Sequence, residues 1–360
     1  MKLNAREPIS IQNNKNEIES NSKRKLEHLR INLTKDVQFE AVGTGLDDYR
    51  FVHQALPEVN FCDIDLSVVL FGKPLSAPLL LSPMTGGIKQ AQRINRHLAQ
   101  AAQKLGIAMG VGSQRAAIDN PHVAYTFQVR DIAPDILLFA NLGAVQLNYG
   151  YGLKECQRAV EMIEADALML HLNPLQEALQ LEGQTDFSGL LRKIEQVCKS
   201  LSVPVVVKEV GWGISETIAR KLAEAGVAGL DVAGAGGTSW GEVERHRAHN
   251  NNRKSIAKSF ASWGIPTAES IQMARRGAPG VTLIASGGLR TGLDVAKAIA
   301  LGADAAGIAA PLLKAADVSA EAVIASVAEV IEVLRIAMFC TGAARLSDLK
   351  GSPFLEKIKG

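Results

Sequence analysis

The sequence predicts a (β/α)8 TIM barrel, a single domain with a short N-terminal extension. Three observations lead there. Eight short apolar runs recur from residue 77 onward, each followed by a Gly/Ser/Asn/Thr-rich turn and a helix-like stretch. The runs are continuous in Val, Ile, Leu and Ala, as parallel strands covered on both faces require. Their spacing is regular. With Met84, Ser113, Asn141, His171, Lys208, Gly234, Gly287 and Ala309 marking the strand tips, successive marks lie 29, 28, 30, 37, 26, 53 and 22 residues apart. Eight units in series close most naturally into a ring. A doubly wound open sheet is the alternative, but no GxGxxG follows the first run.

The elements follow in order. Residues 1–20 are dominated by Asn, Lys, Glu and Ser and are expected to be a flexible extension without a signal peptide. Residues 21–76 precede the barrel, and "FCDIDLSVVLFGKPL" alternates well enough for a hairpin sealing its bottom. Residues 77–345 carry the eight runs, from "APLLLSPMTGG" through "DALMLHLN" and "VPVVVKEVGWG" to "ADAAGIAAP". Between them, "QAQRINRHLAQAAQKLG" and "SETIARKLAEAG" are amphipathic and end in Gly, as a helix C-cap would. The long gap after the sixth run signals an extended loop with "SWGEVERHRAHNNNRKS" and a further helix. Residues 318–340 read as the closing helix, and 346–360 as a tail.

The composition, 47% hydrophobic and 21% charged over 360 residues, allows a large core. A net charge of +2 argues against nucleic acid or an anionic membrane as partner, so any anion binding must be local. The four cysteines are scattered without CxxC or Cys/His spacing, which suits free thiols in a reducing compartment. No stretch has the length of a membrane span. A cytoplasmic location is the expectation.

In a barrel of this kind the active site lies at the C-terminal strand ends. The tips collect Met84, Thr85 and Gly86; Ser113, Gln114 and Arg115; Asn141; His171, Asn173, Gln176 and Glu177; Lys208 and Glu209; Thr238; Ser286, Gly287, Gly288, Leu289 and Arg290; Ala309 and Ala310. "GAGGT" and "ASGGLRTG" place glycine turns at tips six and seven, and the second opens the helix "GLDVAKAIALG". Backbone N–H groups and a helix N-terminus attract anions, so these turns either cradle phosphate or simply end strands. Lys208 closes a very apolar run. It either pairs with Glu177 or Glu209 or faces an anionic ligand. Phosphate at strands seven and eight with a lysine at strand five would suit flavin mononucleotide, the lysine facing the N1/C2 edge that gains charge on reduction.

The set "SKRKLEHL", "SPMTGG", "GSQR", "ANLGA", "HLNPLQE", "KEVGWG", "AGAGGTSW", "SGGLRTG" and "AAPLL" resembles the type 2 isopentenyl diphosphate isomerases, in order from about residue 20 to 345. The resemblance implies interconversion of isopentenyl and dimethylallyl diphosphate. It implies reduced FMN acting as acid and base through N5 without net redox change, NAD(P)H as reductant, with NADPH the expected donor, and Mg2+ for the diphosphate. It also implies a homo-oligomer, tetramer or octamer. By that resemblance Arg24, Lys25, His28, Ser113, Gln114, Arg115, His171, Asn173 and Gln176 contact substrate, and Glu177 holds Mg2+. Gln176, His171, Glu244 and Trp240 serve catalysis around the alkene, with residues 240–260 as a lid. Met84, Thr85, Gly86, Ser113, Asn141, Lys208, Thr238, Gly287, Gly288, Leu289, Arg290, Ala309 and Ala310 hold FMN.

Two other functions compete. An FMN-dependent 2-hydroxy-acid oxidase would carry a His-Gly-x-Arg-Gln base segment after strand six, where "AGAGGTSW" has no histidine. A non-catalytic flavin-binding protein would keep the glycine turns without needing His171, Gln176 and Glu177 to converge with Arg115.

Overall fold

The computed structural model describes residues 23–358, so the expectation for residues 1–20 lies outside the described residues. The described residues begin with helix α1 (23–34) and a strap (35–45) that leads to strand β1 (Tyr49–Phe51). Strands β2 (Val68–Leu70) and β3 (Lys73–Leu75) pair antiparallel. The barrel strands follow: β4 (Leu79–Leu81), β5 (Ala108–Gly110), β6 (Leu138–Gly143), β7 (Ala167–Leu172), β8 (Val205–Glu209), β9 (Gly229–Asp231), β10 (Thr282–Ala285) and β11 (Ala305–Ile308). They form a closed ring in the order β10-β11-β4-β5-β6-β7-β8-β9, every barrel ladder parallel. Closure rules out the open sheet.

The helices follow from local chemistry. Helix α2 (Lys89–Leu105) ends on Gly106 in the left-handed region, as its sequence predicts. The second unit departs from the pattern. It has only the short α3 (Arg115–Asp119) and a 3-10 turn, Pro121–Thr126, because Asn120 leaves helical geometry and caps a new start at Pro121. Next come α4 (Leu153–Ile163), α5 (Pro174–Leu179), α6 (Leu190–Ser200) and α7 (Glu216–Glu224). The expected loop after strand six is two helices, α8 (Trp240–Arg247) and α9 (Asn251–Lys258), capped by Ser239 and Asn250, before α10 (Thr267–Gly277). Helices α11 (Gly292–Ala300), α12 (Ala310–Val318), α13 (Ala320–Cys340) and α14 (Leu346–Leu349) complete the wall. The tail then returns as β12 (Leu355–Lys357), antiparallel to β1. No helix among the described residues is long and apolar enough to cross a membrane.

The barrel interior is layered with period two. Leu80, Phe139, Met169, Val206, Ile284 and Ala305 form one buried cluster with Leu70 and Leu75 of the β2–β3 hairpin. Phe71 at the hairpin turn meets Phe139 edge to face, with ring centroids 5.9 Å apart. The hairpin therefore plugs the bottom. Two residues further along, the interior turns polar with Ser82, Asn141, His171, Lys208 and Ser286, and Asp231 of β9 is buried beside Lys208.

Two matching buttresses hold the ring's lower rim. Arg130 donates to Asp166 (2.9 Å) and to the carbonyls of Pro134 and Ile136, while Asp166 also accepts the Leu138 N–H and pairs with Lys73. Arg275 donates to Asp304 (2.7 Å) and to the carbonyls of Pro279 and Val281, while Asp304 accepts the Leu283 N–H and pairs with Lys350. The first clamps β6 to β7 and the second β10 to β11, four strands away. The segments read "RDIAPDILL" and "RRGAPGVTL", 145 positions apart.

Candidate active site

A cavity of about 760 Å³ opens at the C-terminal ends of the barrel strands. Its floor is the polar interior layer, and its roof is α1 with the strap behind it. Arg24, Lys25, His28 and Asn32 of α1 line it, as do Thr34 to Gln38. The strap runs beside the glycine turn of strand six: Phe39 N–H donates to Gly237 O, Ser239 N–H to Val37 O, and Gln38 bridges Thr238. Arg290 reaches back to Gln38 at 2.7 Å.

One wall is cationic. Arg24, Lys25 and Arg115 all line the cavity. Burial, reinforced by Arg115, holds the Arg24 guanidinium below its usual range. Burial and the charge of Arg24 push the Lys25 amine down to about 7. Its Nζ donates to Ser113 O at 2.9 Å and lies 5.1 Å from the centre of the Phe127 ring. Crowded cations of this kind bind a multivalent anion readily, because the anion relieves their mutual repulsion.

Glu177 sits beside them on α5, set there by the turn Asn173–Pro174, with Pro in the first helical turn. Its carboxylate is aimed by its neighbours: Asn173 donates to Oε1 at 2.9 Å, and Gln180 and the Gln184 N–H donate to Oε2. Gln184 also accepts from Arg115 and Gln146, tying the carboxylate to the cationic wall. No cluster of three or more His, Cys, Asp or Glu that could hold a metal is present among the described residues. A metal at Glu177 would therefore take the rest of its oxygens from water and a ligand phosphate, as Mg2+ does.

His171, from β7, lines the floor with its Nδ1 2.8 Å from Asn141 Oδ1. Burial, helped by the Lys208 charge, pushes its imidazole down to about 4, so it is neutral at pH 7. With Asn141 accepting at Nδ1, the open nitrogen is an acceptor. Lys208 lies 2.9 Å from Asp231, so the ion pair with Glu177 or Glu209, one of the two alternatives the sequence left open, does not form. Glu209 instead folds back onto its own turn. Its Oε2 accepts the N–H groups of Val210, Gly211 and Trp212, while burial pushes it up to about 7.

Two of the residues expected at the site do not line the cavity. Gln114 is fully buried away from the cavity. Its amide donates to Ala159 O (2.8 Å) and accepts the Asn141 N–H (2.9 Å), so its side chain fastens strand tips. Glu244 lies behind the wall, outside the cavity lining. It takes the His28 ring at 2.9 Å and Arg247 at 2.7 Å. Burial alone would raise its carboxyl, but His28 and Arg247 outweigh it and hold it low. Glu244 thus clasps α1 to α8, with His28 and Trp240 edge to face at 5.2 Å. The remaining residues expected at the site, Met84, Thr85, Gly86, Ser113, Asn173, Gln176, Thr238, Gly287, Gly288, Leu289, Ala309 and Ala310, all line the one cavity.

The glycine turns of strands six and seven meet face to face. A Cβ on Gly237 would lie 2.4 Å from Gly288 N, and Gly287 and Gly288 have φ of 103° and 83°. Only glycine permits this cradle. Of the two helices that start beside it, one has its own cap and the other has none. Helix α11 is capped by its own Thr291 and Asp294, whose carboxylate accepts the N–H groups of Arg290 and Thr291. Helix α12 starts at Ala309–Ala310 with no side-chain cap, and both residues line the cavity. An anion fits there. Ser82 Oγ and Asn173 Oδ1 add two buried polar atoms without hydrogen-bond partners among the described residues, and both residues are in the lining. Cavity size, cradle and polar floor fit a phosphorylated flat group such as FMN.

Residues 20–120 and 155–356 match the FMN-dependent dehydrogenase family. Among curated relatives, the isopentenyl-diphosphate delta-isomerase of Nostoc sp. is 56% identical over 93% of this chain and 96% of its own length. That of Synechocystis sp. is 52% identical over 95% and 98%. The chain belongs to the isopentenyl-diphosphate delta-isomerase family. A solved lactate oxidase of Pediococcus acidilactici shares the fold, with a TM-score of 0.62 at 16% identity over 99% of this chain and 97% of that one. In this isomerase-family chain the internal stretch between the two matched segments, 121–154, includes β6 and Asn141.

Sequence reasoning passed over Ser82, Gln146, Gln180, Asp231 and the strap. Asp231 had a signal: it is a lone charge in the apolar run "VAGLDVAG", as Lys208 is in "VPVVVK".

Proposed function

We propose that this chain interconverts isopentenyl diphosphate and dimethylallyl diphosphate by a 1,3-allylic proton shift. It would do so with reduced FMN in the cavity, NAD(P)H as reductant and Mg2+ at Glu177. One observation carries the reading: Arg24, Lys25 and Arg115 crowd the same cavity that has a glycine cradle and a lysine floor. Such a cavity has places for two phosphate groups of different kinds, one on side chains and one on backbone.

Bound reduced FMN would supply a proton-transfer partner beside the alkene. The chain's own residues do the rest. Arg24, Lys25 and Arg115 hold the diphosphate, and Arg supplies paired donors that match its oxygens. Glu177, held by Asn173, Gln180 and Gln184, offers one oriented carboxylate to the cation that offsets the diphosphate charge. Leu29, Val37, Met84, Trp240 and Leu313 give the lining apolar surface for the five-carbon chain and keep water from the carbon that becomes electron-poor. The Trp240 face favours that positive character. Gln176 Oε1 accepts from Asn173, leaving its NH2 as the group for a ligand. Neutral His171 is fixed as an acceptor on the floor.

The test is exchange. Reduced holoenzyme with Mg2+ and isopentenyl diphosphate in D2O is expected to place deuterium in a methyl group of dimethylallyl diphosphate and, on return, at C2 and the vinyl carbon of isopentenyl diphosphate, and a chelator is expected to stop it. No exchange, or flavin bleaching by a 2-hydroxy acid, would return the chain to the oxidase or binding-protein reading.

A further inference from the structure

Beneath the cavity floor lies a charge that the proposed reaction does not use. Asp231, at the end of β9, is fully buried and does not line the cavity. Its Oδ2 lies 2.9 Å from Lys208 Nζ, and its Oδ1 accepts the Ser286 hydroxyl at 2.5 Å. Lys208 Nζ also donates to Ser286 Oγ at 3.1 Å. The three close a triangle across β8, β9 and β10, and only Lys208 and Ser286 reach the cavity. Backbone register makes the pair: Lys208 and Asp231 are direct partners in the parallel β8–β9 ladder. The other groups nearby carry no compensating charge, since His171 is neutral and Glu209 is turned to the 210–212 backbone.

An ammonium this deep is not tolerated alone. Neutral neighbours return less than desolvation removes, so an unpartnered buried amine gives up its charge. We propose that Asp231 is a positioning residue: with Ser286 it aims and charge-balances the Lys208 ammonium, and so sets the reduction potential of the flavin held above it. The inference rests on the flavin reading of the cavity. A fixed positive charge in the floor favours the reduced flavin, which is more negative than the oxidised one.

The test is a set of four proteins saturated with FMN: wild type, Asp231→Asn, Lys208→Met and the double variant, each measured for the flavin midpoint potential. Loss of the carboxylate acts in two ways. Its direct field raises the potential in either background. Its action through Lys208 lowers the potential only where the lysine is present. Asp231→Asn is expected to lower the potential in the wild-type background and not in the Lys208→Met background. A rise or no change in the wild-type background overturns the proposal, as does an equal fall in both. If Asp231→Asn fails to fold but the double variant folds, Asp231→Glu, which keeps a carboxylate but displaces it, takes its place, and an unchanged potential there overturns the proposal. If neither folds, Asp231 is a scaffold residue and the proposal falls. Wild-type protein that retains no flavin overturns the flavin reading, and this inference with it.

Discussion

Lys25 shows how much the free site lacks its anion. Its amine sits near 7 because burial and Arg24 oppose its charge. A bound diphosphate would reverse that balance, so binding above pH 7 is expected to take up a proton. Calorimetry in buffers of different ionisation enthalpy would read this, and Lys25→Met should abolish it. The same group has a stability consequence. The unfolded chain keeps this proton up to about 10.5, whereas the folded chain releases it near 7. Between those values unfolding takes up a proton, so this group's contribution to stability rises with pH across that window and is lost as pH falls back to 7. Lys25→Met should flatten the slope in denaturant midpoints. Gln114 makes the opposite prediction. Gln114→Ala would orphan Ala159 O and the Asn141 N–H, costing roughly 2–5 kcal/mol of stability. Substrate KM is expected to hold, measured below the lowered melting temperature. Gln114 and Arg115 are neighbours in "GSQR", and nothing in the sequence distinguishes the fastener from the ligand. Only the direction each side chain takes at the strand tip does so.

Helix α1 and the glycine turns belong together, because the strap joins them. The sequence showed a basic segment and two glycine motifs but not that the strap lies along Gly237–Ser239, since a three-residue edge pairing leaves no periodic trace. It showed the helix after strand seven but not its self-capping. Thr291 and Asp294 stand three apart, the spacing of a capping box, and that spacing was the readable clue that α11 supplies its own cap. The cradle itself is testable. Gly237→Ala would set a Cβ 2.4 Å from Gly288 N, forcing the two turns apart. Flavin retention is expected to fall more than tenfold, read as FMN content after gel filtration. Gly43→Ala, where a Cβ meets nothing within 4 Å, is the matched control and should keep its flavin.

Across the whole molecule, the eight strands and their order were legible because parallel strands need continuous apolar runs, and eight such runs leave few ways to close. The interior layering was less so. It emerges only when each run is counted in twos from a shared level, which the sequence does not mark. The lower rim repeats itself in a way the chemistry above does not. Arg130→Met and Arg275→Met are expected to cost about the same, roughly 2–4 kcal/mol each, since each removes charge-assisted bonds to a carboxylate and to several carbonyls, four for Arg130 and three for Arg275. Urea midpoints would compare them, and a large difference would deny their equivalence. Step upward from the two clamps and the likeness ends: Asn141 on β6 and Ser286 on β10, also 145 positions apart, hold different partners. A doubled ancestor of four strands would leave this signature, its foundations still twins and its working surface long since diverged. Selection on such a molecule could rewrite the upper tier of either half while the masonry below stayed untouched.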